Sequence, residues 1–533
     1  MKKPLDWLRL TVQRIFAGAR LLIQPRPKID IPSHTQVLLP DPAPVHEVDP
    51  CYLSFSIDIS VLAGGYWWEG SDGMRRGLGK LRVPPLNLQS PKLDRLVQAL
   101  GPAYVRVGGS EADRIHYFEA PPDAKYSLVL TRQMWDELHD FVQRNQLKLF
   151  FTLKYGLEKR SLHGAWCGGE IEQLLSYSRE KNYHIDVCEL GNELNAYWVF
   201  HGPTAQPQAK KLAADYHTFV KVVKNAFPQT KIIGPGSAFW PRLGETLRPF
   251  SNITRPFLAT CRQQGTPLDI VDWHYYPFQS QRSPLHTRRA TLQNIVKPKA
   301  LNEYQKYARQ MRRLRDEFCP DAQLWTGETG SAQCGGQPKL SDRFASCFWW
   351  ADQLGAGAIS GHTVMIRQCL IGADYGLVDR LTQRPRPDYW LSWCWKRLMG
   401  QRVYRLSCSH SLLRCYCHST PQSQGRTVLL INLSGKPLIV HHVGFGSLVH
   451  QYCLTANKLS SKRIFINGKR PHFQKGKVRL DDFPETDRSP ELPAYSITFR
   501  LFQEGTFDAP LPAGWCTECV LPETNIGLNA IAK

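Results

Sequence analysis

A chain of 533 residues with 42% hydrophobic and 21% charged side chains is long enough for two to four domains and composed like a globular protein, not a disordered, collagen-like or coiled-coil one. Lys and Arg number 67 against 46 Asp and Glu, a net charge of +21, which favours a polyanionic partner: nucleic acid, anionic lipid or acidic polysaccharide. No window approaches the ~18 consecutive apolar residues of a spanning helix, which excludes an integral membrane protein of that type.

Residues 1–28 carry seven basic side chains and one acid, Asp6. Leu5, Leu8, Val12, Ile15, Ala19 and Leu22 recur at three- and four-residue steps, the pattern of an amphipathic helix. Arginines interrupt any apolar run, so the segment is a poor secretory leader. Two readings stand: a helix lying on a membrane surface, or one docked on the protein's own body. No compartment follows, and action on an extracellular glycan would require non-standard export. Pro25 to Pro44 reads as a Pro-rich linker, which gives a first segment of residues 1–46.

From about Leu53 to Leu398 short apolar runs alternate with helical patterns. Strands are predicted at 52–59, 103–107, 148–153, 184–190, 231–234, 270–274, 323–326 and 358–365. Helices are predicted at 92–100, 132–145, 171–181, 209–226, 302–317 and 341–354. Eight strands with intervening helices predict a (β/α)8 TIM barrel over residues 47–400, an α/β fold whose active site sits beyond the strand ends. After Gly400 the period changes to short strand-like runs at 412–418, 427–432, 438–442, 448–454, 463–466 and 496–502, predicting an all-β sandwich domain with a C-terminal tail over 401–533. The 15 cysteines form an odd, scattered set without a disulfide framework. Cys516 and Cys519 have redox or half-zinc spacing, but no second pair accompanies them; one of the two paired with Cys417 would instead tie the C-terminus down. No metal or cofactor is expected.

Two carboxylates stand out. Glu193, in Glu189–Asn195 (ELGNELN), follows the fourth predicted strand, and Glu328, in Leu324–Gly330 (LWTGETG), follows the seventh. In a closed barrel these ends lie roughly opposite, so the two carboxyls can face one another over a sugar. A retaining glycosidase needs two such groups ~5–5.5 Å apart, one a proton donor and the other a nucleophile. His274 and Tyr275, at the end of the sixth strand, are expected as neighbours that hold the ionised partner. Asn192 is expected to hydrogen-bond a sugar 2-hydroxyl.

Ordered stretches then carry a resemblance: Ser90–Leu93 (SPKL), Gly101–Gly109 (GPAYVRVGG), Glu189–Asn195, Gly327–Ala332 (GETGSA), Leu340–Asp342 (LSD), Met365–Gln368 (MIRQ), Leu377–Asp379 (LVD), Pro387–Leu391 (PDYWL) and Leu492–Ser496 (LPAYS). Running from about residue 52 to 502, they make the sequence similar to the heparanases and β-glucuronidases of glycoside hydrolase family 79. The resemblance implies a retaining β-glucuronidase with Glu193 as acid/base and Glu328 as nucleophile. It puts Asp58, Ser110 and Asn192 at the glucuronate hydroxyls, and Gly335, Gly336, Gln368 and Tyr375 around the uronate carboxylate. Backbone N–H groups of a Gly-rich loop suit a carboxylate.

Departures from the animal pattern are Leu194 in place of Pro, Gln333 in place of an aromatic residue, and Cys334 in place of Gly. Lys154 ends the third strand where a neutral polar residue is usual, and its charge is available for a carboxylate or sulfate. The 113–130 stretch is too short for the excised linker of animal proenzymes, which implies activity without that cleavage. Arg288-Arg289, Arg312-Arg313 with Arg315, Lys210-Lys211 and Lys469-Arg470 are candidate sulfate contacts. The expected function is endo-acting hydrolysis of a heparan sulfate-like acidic polysaccharide. Exo-β-glucuronidase is the alternative, and a catalytically idle basic glycan-binding protein a more remote one. No nucleic-acid motif is present.

Overall fold

The structure is a computed structural model that describes residues 34–68, 81–122, 128–156, 166, 168–240, 242–247 and 251–504. The amphipathic segment 1–28 and the Cys516/Cys519 pair lie outside the described residues. Among the described residues, eight parallel strands form a closed barrel: β1 (Leu53–Asp58), β2 (Tyr104–Gly108), β3 (Lys148–Leu153), β4 (Val187–Leu190), β5 (Lys231–Trp240), β6 (Ile270–Tyr275), β7 (Gln323–Thr329) and β8 (Val364–Arg367). Each pairs with the next, and β8 returns to β1 through Met365 opposite Leu53. The connections carry α1 (Pro91–Gln98), α2 (Arg132–Arg144), α3 (Gly169–Glu180), α4 (Ala209–Ala226), α5 (Thr254–Gln264), α6 (Pro298–Phe318), α7 (Phe344–Ile359) and α8 (Pro387–Leu398).

The local chemistry of several helix starts is plain. Ser90 and Thr131 cap α1 and α2 by accepting from the Leu93 and Met134 N–H groups, and Pro91 opens α1 where its missing N–H costs nothing. Among the described residues, no helix is long and apolar enough to cross a membrane.

A seven-stranded sheet and a four-stranded sheet make the sandwich. Strand Arg426–Asn432 is buried on both faces. Val428 and Leu430 point into the core between the sheets, with Val37, Leu438 and Val440. Leu429 and Ile431 point the other way, into the core shared with the barrel. Period-two alternation thus serves two cores with one strand. The contact on the barrel side is close: a Cβ at Gly355 of α7 would lie 2.1 Å from the Tyr416 ring, whose hydroxyl donates to Asp352 at 2.7 Å.

Two features differ from the sequence reading. Residues 34–38 are not linker: His34–Leu38 is an inner strand of the four-stranded sheet, parallel to Leu438–Val443, and His46–Glu47 pairs with Arg402–Val403. The prolines that suggested a linker flank this strand rather than interrupt it. The predicted strand 358–365 is instead the end of α7 followed by β8 at Val364–Arg367. Val37 is fully buried, so Val37→Ala should lower unfolding free energy by about 2 kcal/mol in urea melts. A loss near zero would mean that the strand adds nothing to the sandwich.

Candidate active site

Inward positions on the strands stack in layers. The lowest is apolar, with Tyr104, Phe150, Val187, Ile270 and Trp325 packed together. Two residues further along, the same faces carry Arg106, Thr152, Glu189 and Asp272, all essentially buried. This polar layer supports the rim, where Glu193 and Glu328 line a cavity of about 130 Å³ with Asp58, Ser110, Gln368 and Tyr375.

The backbone aims each glutamate. Between β6 and β7 the register shifts, Trp273 facing Thr326 but His274 facing Glu328, so Gly327 is an extra residue that turns Glu328 into the barrel mouth. A Cβ there would lie 2.2 Å from Asp272 Oδ2, so any larger residue would have to displace that buried carboxyl. Glu193 has left-handed backbone, φ 50° and ψ 50°, at the head of a short 3-10 turn, a conformation unusual outside glycine. Asn195 fastens that turn to β5: its Nδ2 donates to the Ala238 carbonyl at 3.0 Å, and its Oδ1 accepts from the Ala238 N–H at 2.8 Å.

The two carboxyls have different partners. Glu328 accepts from Arg106 Nη1 at 2.6 Å and from the Tyr276 hydroxyl at 2.5 Å. Arg106 Nη2 donates to Glu189 and to Asn192 Oδ1, each at 2.9 Å. Burial opposes charge on Arg106, but Glu189 and Glu328 outweigh it and hold the guanidinium ionised. Glu193 has His274 Nδ1 at 3.4 Å. Burial pushes the Glu193 carboxyl well above the ordinary range, and the negative Glu328 adds to the shift. Burial, reinforced by Arg106, keeps His274 neutral. One oxygen of Glu193 and one of Glu328 lie within 4.8 Å of each other. Glu189, Asp272 and His274 bring donor atoms equally close, but Arg106 already supplies a positive charge to Glu189 and Glu328. Glu193, its carboxyl raised, thus faces a Glu328 that is held by Arg106 and Tyr276.

Comparisons with known proteins give the family and the fold. The sequence profile "Glycosyl hydrolase family 79, N-terminal domain" matches residues 67–355, more than half of the chain. The chain belongs to glycosyl hydrolase family 79. It is 27% identical to Heparanase-like protein 1 of Arabidopsis thaliana over 497 residues, covering 89% of this chain and 87% of that protein. It is 29% identical to Heparanase of Bos taurus over 528 residues, covering 87% and 89%. In fold it matches the GH51 α-L-arabinofuranosidase of Thermotoga petrophila, with TM-score 0.61 and 11% identity over 88% of this chain and 99% of that one.

In this family 79 glycoside hydrolase the sequence-derived residues divide. Asp58, Ser110, Glu193, Glu328, Gln368 and Tyr375 line one cavity. Gln368 Nε2 donates to Asp58 Oδ2 at 3.3 Å. Asn192 and His274 sit behind the rim and act on it through Arg106 and Glu193. Tyr275 does not join the site: its side chain turns outward among Trp273, Tyr304 and Tyr307. Tyr276 takes the role expected of it, since His274 and Tyr276, two apart, share the inward face. Gly335 and Gly336 lie behind Cys334, which reaches the cavity. At Gly335 a Cβ would lie 2.3 Å from Trp68 Cβ. Arg282, which the sequence did not single out, clamps this loop through the Cys334 and Gly336 carbonyls at 3.3 and 3.0 Å and Asp374 at 2.6 Å. Lys154 is committed elsewhere, to Glu170 at 3.0 Å.

Raising the Glu193 pKa has a cost in stability. An unfolded glutamate ionises near ~4.3, whereas the folded one keeps its proton above that, so folding takes up a proton and stability falls as pH rises through that window. Glu193→Gln should therefore be more stable than the parent at neutral pH, with the gain shrinking toward zero below about pH 4. Denaturant melts at several pH values measure this; a constant difference would show that the proton on Glu193 is not its source.

Proposed function

We propose that this glycoside hydrolase is a retaining β-glucuronidase acting inside heparan sulfate-like polysaccharide. The observation that carries the retaining reading is that one oxygen of Glu193 and one of Glu328 lie within 4.8 Å, closer than the ~6.5–9.5 Å between the carboxyl groups of inverting enzymes. Glu328, ionised and oriented by Arg106 and Tyr276, attacks the anomeric carbon while Glu193 donates its proton to the leaving oxygen. Water then enters, Glu193 takes its proton as general base, and the glycosyl–Glu328 ester is hydrolysed with net retention. Asp58, Ser110 and Gln368 meet the ring hydroxyls. Cys334 and the Gly335-Gly336 backbone, clamped by Arg282, form the wall proposed for the uronate carboxylate.

The polymer substrate is supported by the net charge of +21 and by similarity to proteins named heparanase. A second reading, exo-action on terminal glucuronate, is favoured by the cavity itself. It is small, its walls are largely apolar (Trp198, Val199, Phe200, Leu285), and no Lys or Arg is among its described lining residues.

NMR of the first-formed product from a simple β-glucuronide should show the β-anomer; an initial α-anomer would rule out retention. Tyr276→Phe should lower kcat about 10- to 100-fold, the cost of a hydrogen bond to a charged group, whereas Tyr275→Phe should stay near the parent; the reverse order would misassign the nucleophile's partner. Glu328→Gln should abolish turnover, and an equal signal from parent and variant would leave only a glycan binder. With heparan sulfate, size-exclusion profiles should show early loss of chain length; release of monosaccharide from otherwise intact chains would select exo-action.

A further inference from the structure

A second, larger cavity lies away from Glu193 and Glu328. About 940 Å³ in volume, it is a groove between the loop after β8, the start of α8 and the sandwich segment 462–473. Six cations line it: Arg384, Arg386, Lys462, Arg463, Lys469 and Arg470. Two acids, Asp342 and Asp379, are also present. Asp379 pairs with Arg386 at 3.2 Å and Asp342 with Lys462 at 3.6 Å. Among the described residues the guanidinium groups of Arg384, Arg463 and Arg470 have no hydrogen-bond or ion-pair partner, and all three are exposed. The floor is apolar, with Trp390 and Phe473 rings 5.6 Å apart beside Pro385 and Pro471.

We infer that this groove is a second binding site, for a sulfated or carboxylated polysaccharide chain, separate from the catalytic cavity. Three observations converge on that ligand class. Unpaired guanidinium forks on both walls suit sulfate and carboxylate groups projecting from both edges of a chain. An apolar strip between them suits the C–H faces of sugar rings. The groove and the catalytic cavity also share a wall. Arg386 donates to the carbonyls of Ala373 at 2.5 Å, Asp374 at 3.1 Å and Gly376 at 3.2 Å, bracing the turn that carries Tyr375 into the catalytic cavity. A polymer cut at one site can therefore lie on the other. A membrane surface does not fit a concave groove.

The choice of an acidic glycan rests on the proposed activity, but binding tests it separately. The probe is a fluorescent heparin octasaccharide titrated in about 0.15 M NaCl. The R384S/R463S/R470S variant should bind it about tenfold more weakly, and its KM for heparan sulfate should rise by a similar factor. Turnover of a small fluorogenic β-glucuronide should not change, and the triple Arg→Lys variant should retain most of the affinity. R463E alone, at an exposed position, should weaken binding in the same direction and covers the case in which the triple variant folds poorly. Unchanged octasaccharide affinity and polymer KM in folded variants would overturn the site. Short duplex DNA binding more tightly than the octasaccharide, and lost in the same variants, would overturn the ligand class. If no glucuronide is turned over while octasaccharide binding still falls in the variants, the groove stands and the catalytic reading fails.

Discussion

The site depends on how one buried guanidinium is shared. Glu189, Glu193, Asp272 and Glu328 all lie buried in the mouth of the barrel, where an uncompensated charge is expensive. Arg106 directs its hydrogen bonds to Glu328, Glu189 and Asn192. Burial alone would raise every one of these carboxyls. The guanidinium breaks that symmetry. It stabilises negative charge on Glu328, and that charge in turn helps Glu193 to keep its proton. Below them, burial and the neighbouring Glu189 carry Asp272 well above the ordinary carboxyl range. The difference between the two glutamates thus arises from one cation placed off-centre among acids.

The rest of the molecule keeps that cation and its partners in register. Gly327 permits the bulge that aims Glu328, and Asp272, the residue that excludes a side chain there, accepts from the Gly236 N–H at 2.8 Å. From outside, the sandwich presses on α7 through Tyr416 and Arg414, both bonded to Asp352. Arg367 of β8 pairs with Asp388 of α8 at 2.9 Å while stacking on Trp349 and Trp350 of α7. The second domain therefore buttresses the strands that carry Glu328 and Gln368. The inner strand His34–Leu38 ties the beginning of the described chain into the same buttress.

Most of the architecture was legible because period and punctuation carry it. Seven barrel strands were anticipated in place and the eighth only at Val364 and Met365, while Lys148–Leu153 and Ala209–Ala226 agree residue for residue. The missed helices have physical reasons. α8 is buried over most of its length and so shows no polar stripe, and Pro256 lies within the first turn of α5. Both glutamates were legible from their places at the ends of strands four and seven, Glu193 just beyond β4 and Glu328 in the last residues of β7. Arg106 was not, although an arginine inside the apolar run Ala103–Val107 is the signal that marks it: a buried charge must have a buried partner. Tyr275 was chosen over Tyr276 because the strand was ended at His274. Strict alternation from His274 would have selected the right tyrosine. Arg282 and Asn195 were illegible because what they do is hold distant backbone, which no local pattern encodes.

The separation of cations from the catalytic cavity follows from the same electrostatics. A Lys or Arg projecting into the cavity would meet a polyanion well, but it would also favour the ionised form of Glu193 and so remove the proton that catalysis consumes. Interactions between exposed charges fade over a Debye length of about 8 Å at physiological salt, whereas those inside a dry cavity do not. A basic protein that handles an acidic polymer therefore gains by keeping its open guanidinium groups on a solvated surface next to the cavity. There they attract the chain without titrating the acid. The groove beneath the β8 loop has that placement, with Arg386 joining it mechanically to the Tyr375 wall. On the proposed reading, bond cleavage and polymer retention can be tuned independently, the first by Arg106 and its carboxyls and the second by exposed arginines whose loss leaves those carboxyls untouched.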